Sequence, residues 1–313
     1  MKLLEEKLNT TVSLQNLLFA TDFSEASEAA LPFVAAMSLR YGGMVHVAHV
    51  LPEFNLVRPS AIDPVIVGSI YEDANSDAQE KMQQLSLRLE GFPHQTYIRH
   101  GKVGEVLSDI IPEKKIDLLV TGTHGRTGVG KLVMGSVAEE IFRTATCPVL
   151  TVGPKVPRLT KTRPGRSNGD VEPVSIGFRR ILYATDFTSQ SLAAASYAFS
   201  LAHEFRSALI LLHVIEEYGN HPHERPGPIE AALRMLEELQ RDATGLRRAP
   251  TPMVEFGSPA ERILQTATEQ DADLIVLGIR PRHLEAAIHL LWGTAYKVVA
   301  LANCPVLTVR QWP

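Results

Sequence analysis

Asp117–Val152 reads DLLVTGTHGRTGVGKLVMGSVAEEIFRTATCPVLTV. Leu118, Leu119 and Val120 form a short apolar run that stops at Thr121 and Gly122, the pattern of a buried parallel strand breaking into a loop. The glycines at Gly122, Gly125, Gly128 and Gly130 allow positive φ and a close approach of backbone to a ligand. Gly135-Ser136 then precedes the helical pattern of Val137 and Ile141. Ser136 is a good N-cap residue, and the free amides of a helix N-terminus are a ready anion site. Strand, glycine loop, excursion and helix start predict an α/β fold that offers backbone donors to a phosphate chain.

The chain outward from this stretch is a duplication. Asn16–Ser24, NLLFATDFS, recurs as Arg180–Thr188, RILYATDFT, and Asp117 recurs as Asp273. The period is too long for a solenoid, so two tandem domains of one fold are expected, at 1–152 and 178–313. Each copy opens with an apolar strand ending in Thr-Asp-Phe. Asp22 and Glu25 have capping-box spacing, and Ala26, Ala30, Phe33, Val34 and Met37 form the stripe of one following helix. Met44–Val50 alternates as a strand, Pro52–Ser69 reads as irregular, and Ile70–Leu89 as an amphipathic helix. A strand over 96–100, a helix over 103–111 and the strand at Leu118 complete a β-α-β-α-β-α-β-α-β order. Each half is therefore expected to be a doubly wound parallel sheet, Rossmann-like in winding. Residues 153–177, rich in Pro, Gly, Lys and Arg, are expected to be an extended, solvated linker.

Composition narrows the function classes. The 313 residues are 45% hydrophobic and 21% charged, with a formal net charge of −4, a balance that argues against nucleic acid as a partner. The opening MKLLEEKLNTTVSLQ has neither a signal-peptide nor a transit-peptide pattern, and no apolar run approaches the ~18 residues of a membrane span. A cytoplasmic protein without a membrane partner is expected. Cys147 and Cys304 each precede Pro-Val-Leu-Thr-Val and read as equivalent buried hydrophobes. His46 and His49, three apart on a strand, face opposite ways and suit hydrogen bonding better than a shared metal. His221-Pro-His223-Glu224 lacks a second ligand cluster and reads as a polar loop.

The loop contains a misleading pattern. Gly125, four residues and Gly130-Lys131 imitate a P-loop, but Leu132 stands where a Ser or Thr would hold magnesium. The pattern Gly122-x2-Gly125-x9-Gly135-Ser136 instead resembles the G-x2-G-x9-G-[ST] signature of the universal stress protein family. In that family it marks ATP-binding members. The resemblance covers both halves and implies a tandem universal stress protein with a regulatory role. It implies an ATP site at Ala20, Thr21, Asp22, Val50, Gly122, His124, Gly125, Arg126, Gly135, Ser136 and Val137. Asp22 and the Val50 backbone would meet adenine; the glycines and Ser136 would meet ribose and phosphates, with charge added by Arg126 or Lys131. The bland alternative for Asp22 is helix capping. The resemblance further implies that Pro148–Val152 and Pro305–Val309 lie together as a pseudo-twofold pair.

In the second copy Gly278 is followed by Ile279-Arg280-Pro281, and Gly293-Thr294 keeps the final element. Proline fixes φ and donates no N–H, so this loop does not reproduce the first cradle. Leu284–Trp292 reads as a packed helical segment. Nucleotide is thus expected mainly in the N-terminal domain. No general base, metal cluster or triad is assembled in the sequence, so an enzyme is not the first expectation. A slow ATPase or phosphotransferase and a nucleotide-free interaction scaffold stay open. So do magnesium beside ATP, a homodimer of the whole chain and an unnamed protein partner.

Overall fold

The computed structural model describes residues 12–53, 64–123, 134–153, 156, 177–216, 226–279 and 293–310. The first half runs β1 (Asn16–Ala20), α1 (Glu25–Glu28), α2 (Leu31–Tyr41), β2 (Met44–Leu51), α3 (Pro64–Arg88), β3 (His94–His100), α4 (Val103–Glu113), β4 (Leu118–Gly122), α5 (Ser136–Thr144) and β5 (Val149–Val152). The second runs β6 (Arg180–Ala184), α6 (Ser189–Phe205), β7 (Ala208–Ile215), α7 (Pro226–Asp242), β8 (Thr251–Phe256), α8 (Pro259–Glu269), β9 (Leu274–Ile279), α9 (Thr294–Leu301) and β10 (Val306–Arg310). All ten strands form one sheet in the order β3-β2-β1-β4-β5-β10-β9-β6-β7-β8. Every pairing is parallel except the central one, β5 with β10.

Alternation along β1 sets the layers. Leu17 and Phe19 join the side chains of α2 and α3, including Phe33, Met37 and Leu85, on one face. Leu18 and Ala20 join Leu107, Ile110 and Ile141 of α4 and α5 on the other. Helices on both faces are what a sheet of continuous apolar strands requires. Two aspartates fix the opposite, N-terminal end of the sheet: Asp117 Oδ2 accepts from the amides of Gln15 and Asn16 at 2.8 and 2.9 Å, and Asp273 Oδ2 from those of Arg179 and Arg180 at the same distances.

Local expectations are corrected in three places. The helix after β1 is split in the first half, because Pro32 has no N–H to continue the ladder; in the second half Ser196 holds that position and α6 is continuous. Helix α3 begins at Pro64, inside the stretch expected to be irregular. Val156, inside the expected solvated linker, is buried in the core shared by the halves, and its amide donates to Gly153 O at 3.1 Å. Among the described residues, no helix is long and apolar enough to cross a membrane.

The expected pseudo-twofold strand pair is present. Val306 faces Thr151, Leu307 faces Leu150 and Thr308 faces Val149. The equivalent threonines reinforce it: Thr151 Oγ1 donates to Val306 O at 3.1 Å and Thr308 Oγ1 to Val149 O at 3.3 Å. Arg40 and Glu204, also equivalent positions, form an ion pair at 3.1 Å between α2 and α6. Replacing Thr151 and Thr308 with valine should cost about 1 kcal/mol each. The check is chemical denaturation, where the midpoint should fall with an unchanged denaturant slope.

Candidate functional site

In each half the strand order reverses at the first strand: β1 sends its crossover to β2 on one side and lies against β4 on the other. Such a switch point opens a crevice beyond the C-terminal strand ends. Thr21, Asp22, Gly122 and Thr123 emerge on its two sides, since Ala20 is paired with Thr121. Ala20 itself is buried in the core below.

The turn after β1 is held by a chain of hydroxyls. The Phe23 amide donates to Thr21 Oγ1 at 3.0 Å, Thr21 Oγ1 lies 3.0 Å from Ser27 Oγ, and Ser27 Oγ donates to Ser24 O at 3.0 Å. Because Ser27 spends its proton on Ser24, Thr21 is the donor in the middle link. His49 Nδ1 donates to Thr21 O at 2.8 Å, and its ring lies 4.4 Å from that of Phe23. These contacts stabilise Phe23 at φ 59°, a left-handed conformation costly for a bulky residue. Asp22 Oδ1 accepts from the Ser24 amide at 3.0 Å in an Asx turn. Ser24, rather than Asp22, is the N-cap of α1, accepting from the Ser27 amide at 3.2 Å. The alternative in which Asp22 caps the helix is thereby excluded, and the Asp22–Glu25 spacing does not mark the helix start.

Strand β2 overhangs β1. Its pairing with β1 ends at Ala48, apart from the Thr21 amide donating to Ala48 O at 3.0 Å, while Val50 stays paired with Arg99 of β3. Val50 thus lies past the last β1–β2 pair, at the rim of the crevice. His46, as expected, is a buried hydrogen-bonded histidine, with Nδ1 3.0 Å from the Tyr97 hydroxyl. Burial and then the charge of Lys114 lower its pKa below the ordinary histidine value.

Across the crevice, Gly122 is glycine for a reason of packing. A Cβ there would lie 2.6 Å from Ala26 O, so α1 could not cross the end of β4. The first glycine of the motif is thus also a close helix contact. The following loop is pinched at its base: Gly135 N donates to Thr123 O at 2.8 Å. Gly135, not Ser136, is the N-cap of α5, and having no side chain it supplies no capping acceptor of its own to the opening amides. Ser136 and Val137, the first helical residues, are exposed at that end. His124, Gly125, Arg126, Gly128, Gly130 and Lys131 lie outside the described residues.

The second half repeats the turn. Phe187 has φ 59°, its amide donates to Thr185 Oγ1 at 3.0 Å, and His213 Nδ1 donates to Thr185 O at 2.8 Å. Asp186 Oδ1 accepts from the Thr188 amide at 3.1 Å. A Cβ on Gly278 would lie 2.2 Å from Gln190 O, and Gly293 caps α9. Pro281, Arg280, Arg282, His283 and Leu284–Trp292 lie outside the described residues, as does His221–Glu224. Cys147 and Cys304 are buried free thiols, pushed up to about 12 chiefly by burial. His49 is buried and hydrogen-bonded, as expected, but its partner in the turn and the roles of Ser24 and Phe23 escaped the sequence reading; the recurrence of Thr-Asp-Phe and a later histidine in both halves was the available signal.

The duplicated crevice matches the duplicated family pattern. The universal stress protein family model covers residues 13–153 and again 177–310. The chain belongs to the universal stress protein family. A universal stress protein of Mycolicibacterium smegmatis is 25% identical over 308 residues, covering 94% of this chain and 96% of that protein. One from Thermus aquaticus is 37% identical over 140 residues, covering 42% of this chain and 99% of its own length. The crystal structure of a universal stress protein from Archaeoglobus fulgidus superposes with a TM-score of 0.69 at 20% identity, covering 96% of this chain and all 100% of that one, and shares the fold.

The steric reading of this universal stress protein's motif glycine can be tested directly. Gly122→Ala and Gly278→Ala should each destabilise by roughly 1–3 kcal/mol through overpacking. Equal denaturation midpoints for wild type and either variant would show that the close helix crossing is not required.

Proposed function

We propose that this universal stress protein binds ATP in the crevice of its N-terminal half and acts as a nucleotide-responsive regulator. The observation that carries the reading is the convergence of three donor and acceptor sets beyond β1 and β4. They are the Asx-turn carboxylate of Asp22, the overhanging rim at Val50, and the pinched mouth Thr123–Gly135 that leads to the opening amides of α5. A carboxylate accepts from the adenine amino group, and a helix start whose N-cap is glycine favours phosphates through both hydrogen bonding and the helix dipole. The residues therefore fit the group. The resemblance of the Gly122–Ser136 spacing to the family's ATP pattern supports the same ligand, offered as Mg-ATP.

In this reading the domains are 1–152 and 178–313, joined by 153–177, with the first carrying the working site. Ala20 and Thr21 border the crevice, Gly122, Gly135 and Ser136 would meet ribose and phosphates, and Val137 would donate from the helix; His124, Gly125 and Arg126 are assigned by the family pattern alone and lie outside the described residues. A homodimer or another protein partner would use a surface other than β5–β10, which is already closed within the chain.

Ser136→Pro separates binding from folding. Proline is favoured at the first helical position, and Gly135, at φ −59° and ψ 149°, already has the conformation that precedes proline. The substitution removes an amide and a hydroxyl donor while leaving α5 intact. ATP affinity should fall at least about tenfold, the worth of one charge-assisted hydrogen bond, with little change for adenosine or for the unfolding midpoint. Asp22→Asn should weaken both ATP and adenosine, because its amide opposes the adenine amino group. Titration calorimetry reads both, and phosphate release distinguishes retention from turnover. A wild-type protein that takes up no Mg-ATP would sink the proposal.

A further inference from the structure

The helix that opens on Ser136 belongs by sequence to the first half and by packing to both. Met134, the residue before its N-cap, is 2% exposed and lies with Ala138 and Phe142 in the hydrophobic cluster of the second half, among Tyr296, Val299 and Val306. The Phe142 and Tyr296 rings meet edge to face at 6.2 Å. Tyr296 titrates above the usual tyrosine value, first through burial and then through Glu139, opposed by a hydrogen bond with the Met134 backbone.

Arg310, the last residue of β10, secures the other end of α5. Its Nη1 donates to Arg143 O at 2.9 Å and to Ala145 O at 3.3 Å, and its Nη2 donates to Phe142 O at 2.8 Å. These carbonyls belong to the last turn and C-cap of α5, where helix carbonyls lack intrahelical donors. A guanidinium there also meets the negative end of the helix dipole, which favours a cation that is only 8% exposed. The arrangement is one-directional. Gly153 follows Val152 as Arg310 follows Val309, and a Cβ on Gly153 would lie 3.4 Å from Ala302 O, at the C-cap of α9. The second half thus grips α5 by a side chain that the first half lacks for α9.

We propose that Arg310 is a positioning residue for the nucleotide site of the opposite half. It holds α5 along its axis so that the amides of Ser136 and Val137 stay aimed at the phosphates. Thr123, just past the end of β4, is tied to β5 by its amide donating to Val152 O at 3.0 Å, whereas Met134, just before α5, sits in the second half's core. The inference rests on the nucleotide reading above and adds that the phosphate end of the site depends on the second half.

The test compares wild type, Arg310→Gln, Arg310→Lys and Thr308→Val, each as the full chain. Thr308→Val loosens the same strand pair without touching α5, and so controls for general destabilisation. Two measurements are made: hydrogen exchange of 134–145 and 294–301 without ligand, and affinities for Mg-ATP and adenosine. Arg310→Gln should speed exchange across 134–145 but not 294–301. It should also weaken ATP by at least about 5-fold, the lower range of coupling between sites, with adenosine unchanged. Arg310→Lys keeps the charge without the fork and should recover part of the loss. Thr308→Val should bind ATP as wild type does. Wild type binding no ATP overturns the nucleotide reading and this proposal together. Wild type binding ATP, with Arg310→Gln equal to it in affinity, overturns this proposal alone, whether or not exchange changes. An equal loss of ATP in Thr308→Val, or an equal loss of adenosine in Arg310→Gln, also overturns it by reducing Arg310 to general stability.

Discussion

The antiparallel pairing of β5 with β10 is the contact on which the rest of the molecule depends. Each half, taken alone, would end in an edge strand with a row of unpaired backbone groups and a side of its sheet uncovered. Pairing the two edges satisfies those groups and makes ten strands continuous. It also merges the cores: the cluster around Phe19 and Tyr183 runs through both halves, and α5 crosses to pack on the second. Thr151 and Thr308 place a buried hydroxyl on either side of the pseudo-axis, each satisfied by the opposite strand. Buried hydroxyls with a single well-placed acceptor favour one register over its neighbours, since a slip would leave them unpaired.

The crevice shows how a duplicated fold can separate shape from chemistry. Both turns after the first strand of each half keep the same left-handed phenylalanine, histidine bond and Asx turn. Both fourth strands carry a glycine at or next to their C-terminal end, crowded by the helix that follows the first strand. These features shape a switch-point crevice whatever it holds. The chemistry lies in what is added at the mouth.

Much of this was legible in the sequence because the signals are local and doubled. The apolar runs at Leu17–Ala20 and Ile181–Ala184, the alternation of Met44–Val50 and the repeated Pro-Val-Leu-Thr-Val gave the winding and the two halves. The family resemblance covered both halves, as the family model does. The errors come from choices that local pattern leaves degenerate. Thr-Asp-Phe-Ser offers two N-cap candidates, and the turn at Phe23 decides for Ser24. Gly-Ser likewise offers two, and the backbone of Gly135 takes the non-helical conformation. The packing demand on Gly122 and the reach of Arg310 to Phe142 join residues far apart in the chain, where neither partner's neighbours carry a signal.

The unequal pair Arg310 and Gly153 has a meaning for symmetry. Two separate copies of one polypeptide meeting about a twofold axis must present the same residue at both equivalent positions, so an arginine introduced at one appears at the other. Joining the copies in one chain removes that obligation. One side of the axis can acquire a charged grip while the other keeps a bare backbone, and the two halves can then diverge as specialised parts without giving up the interface they inherited.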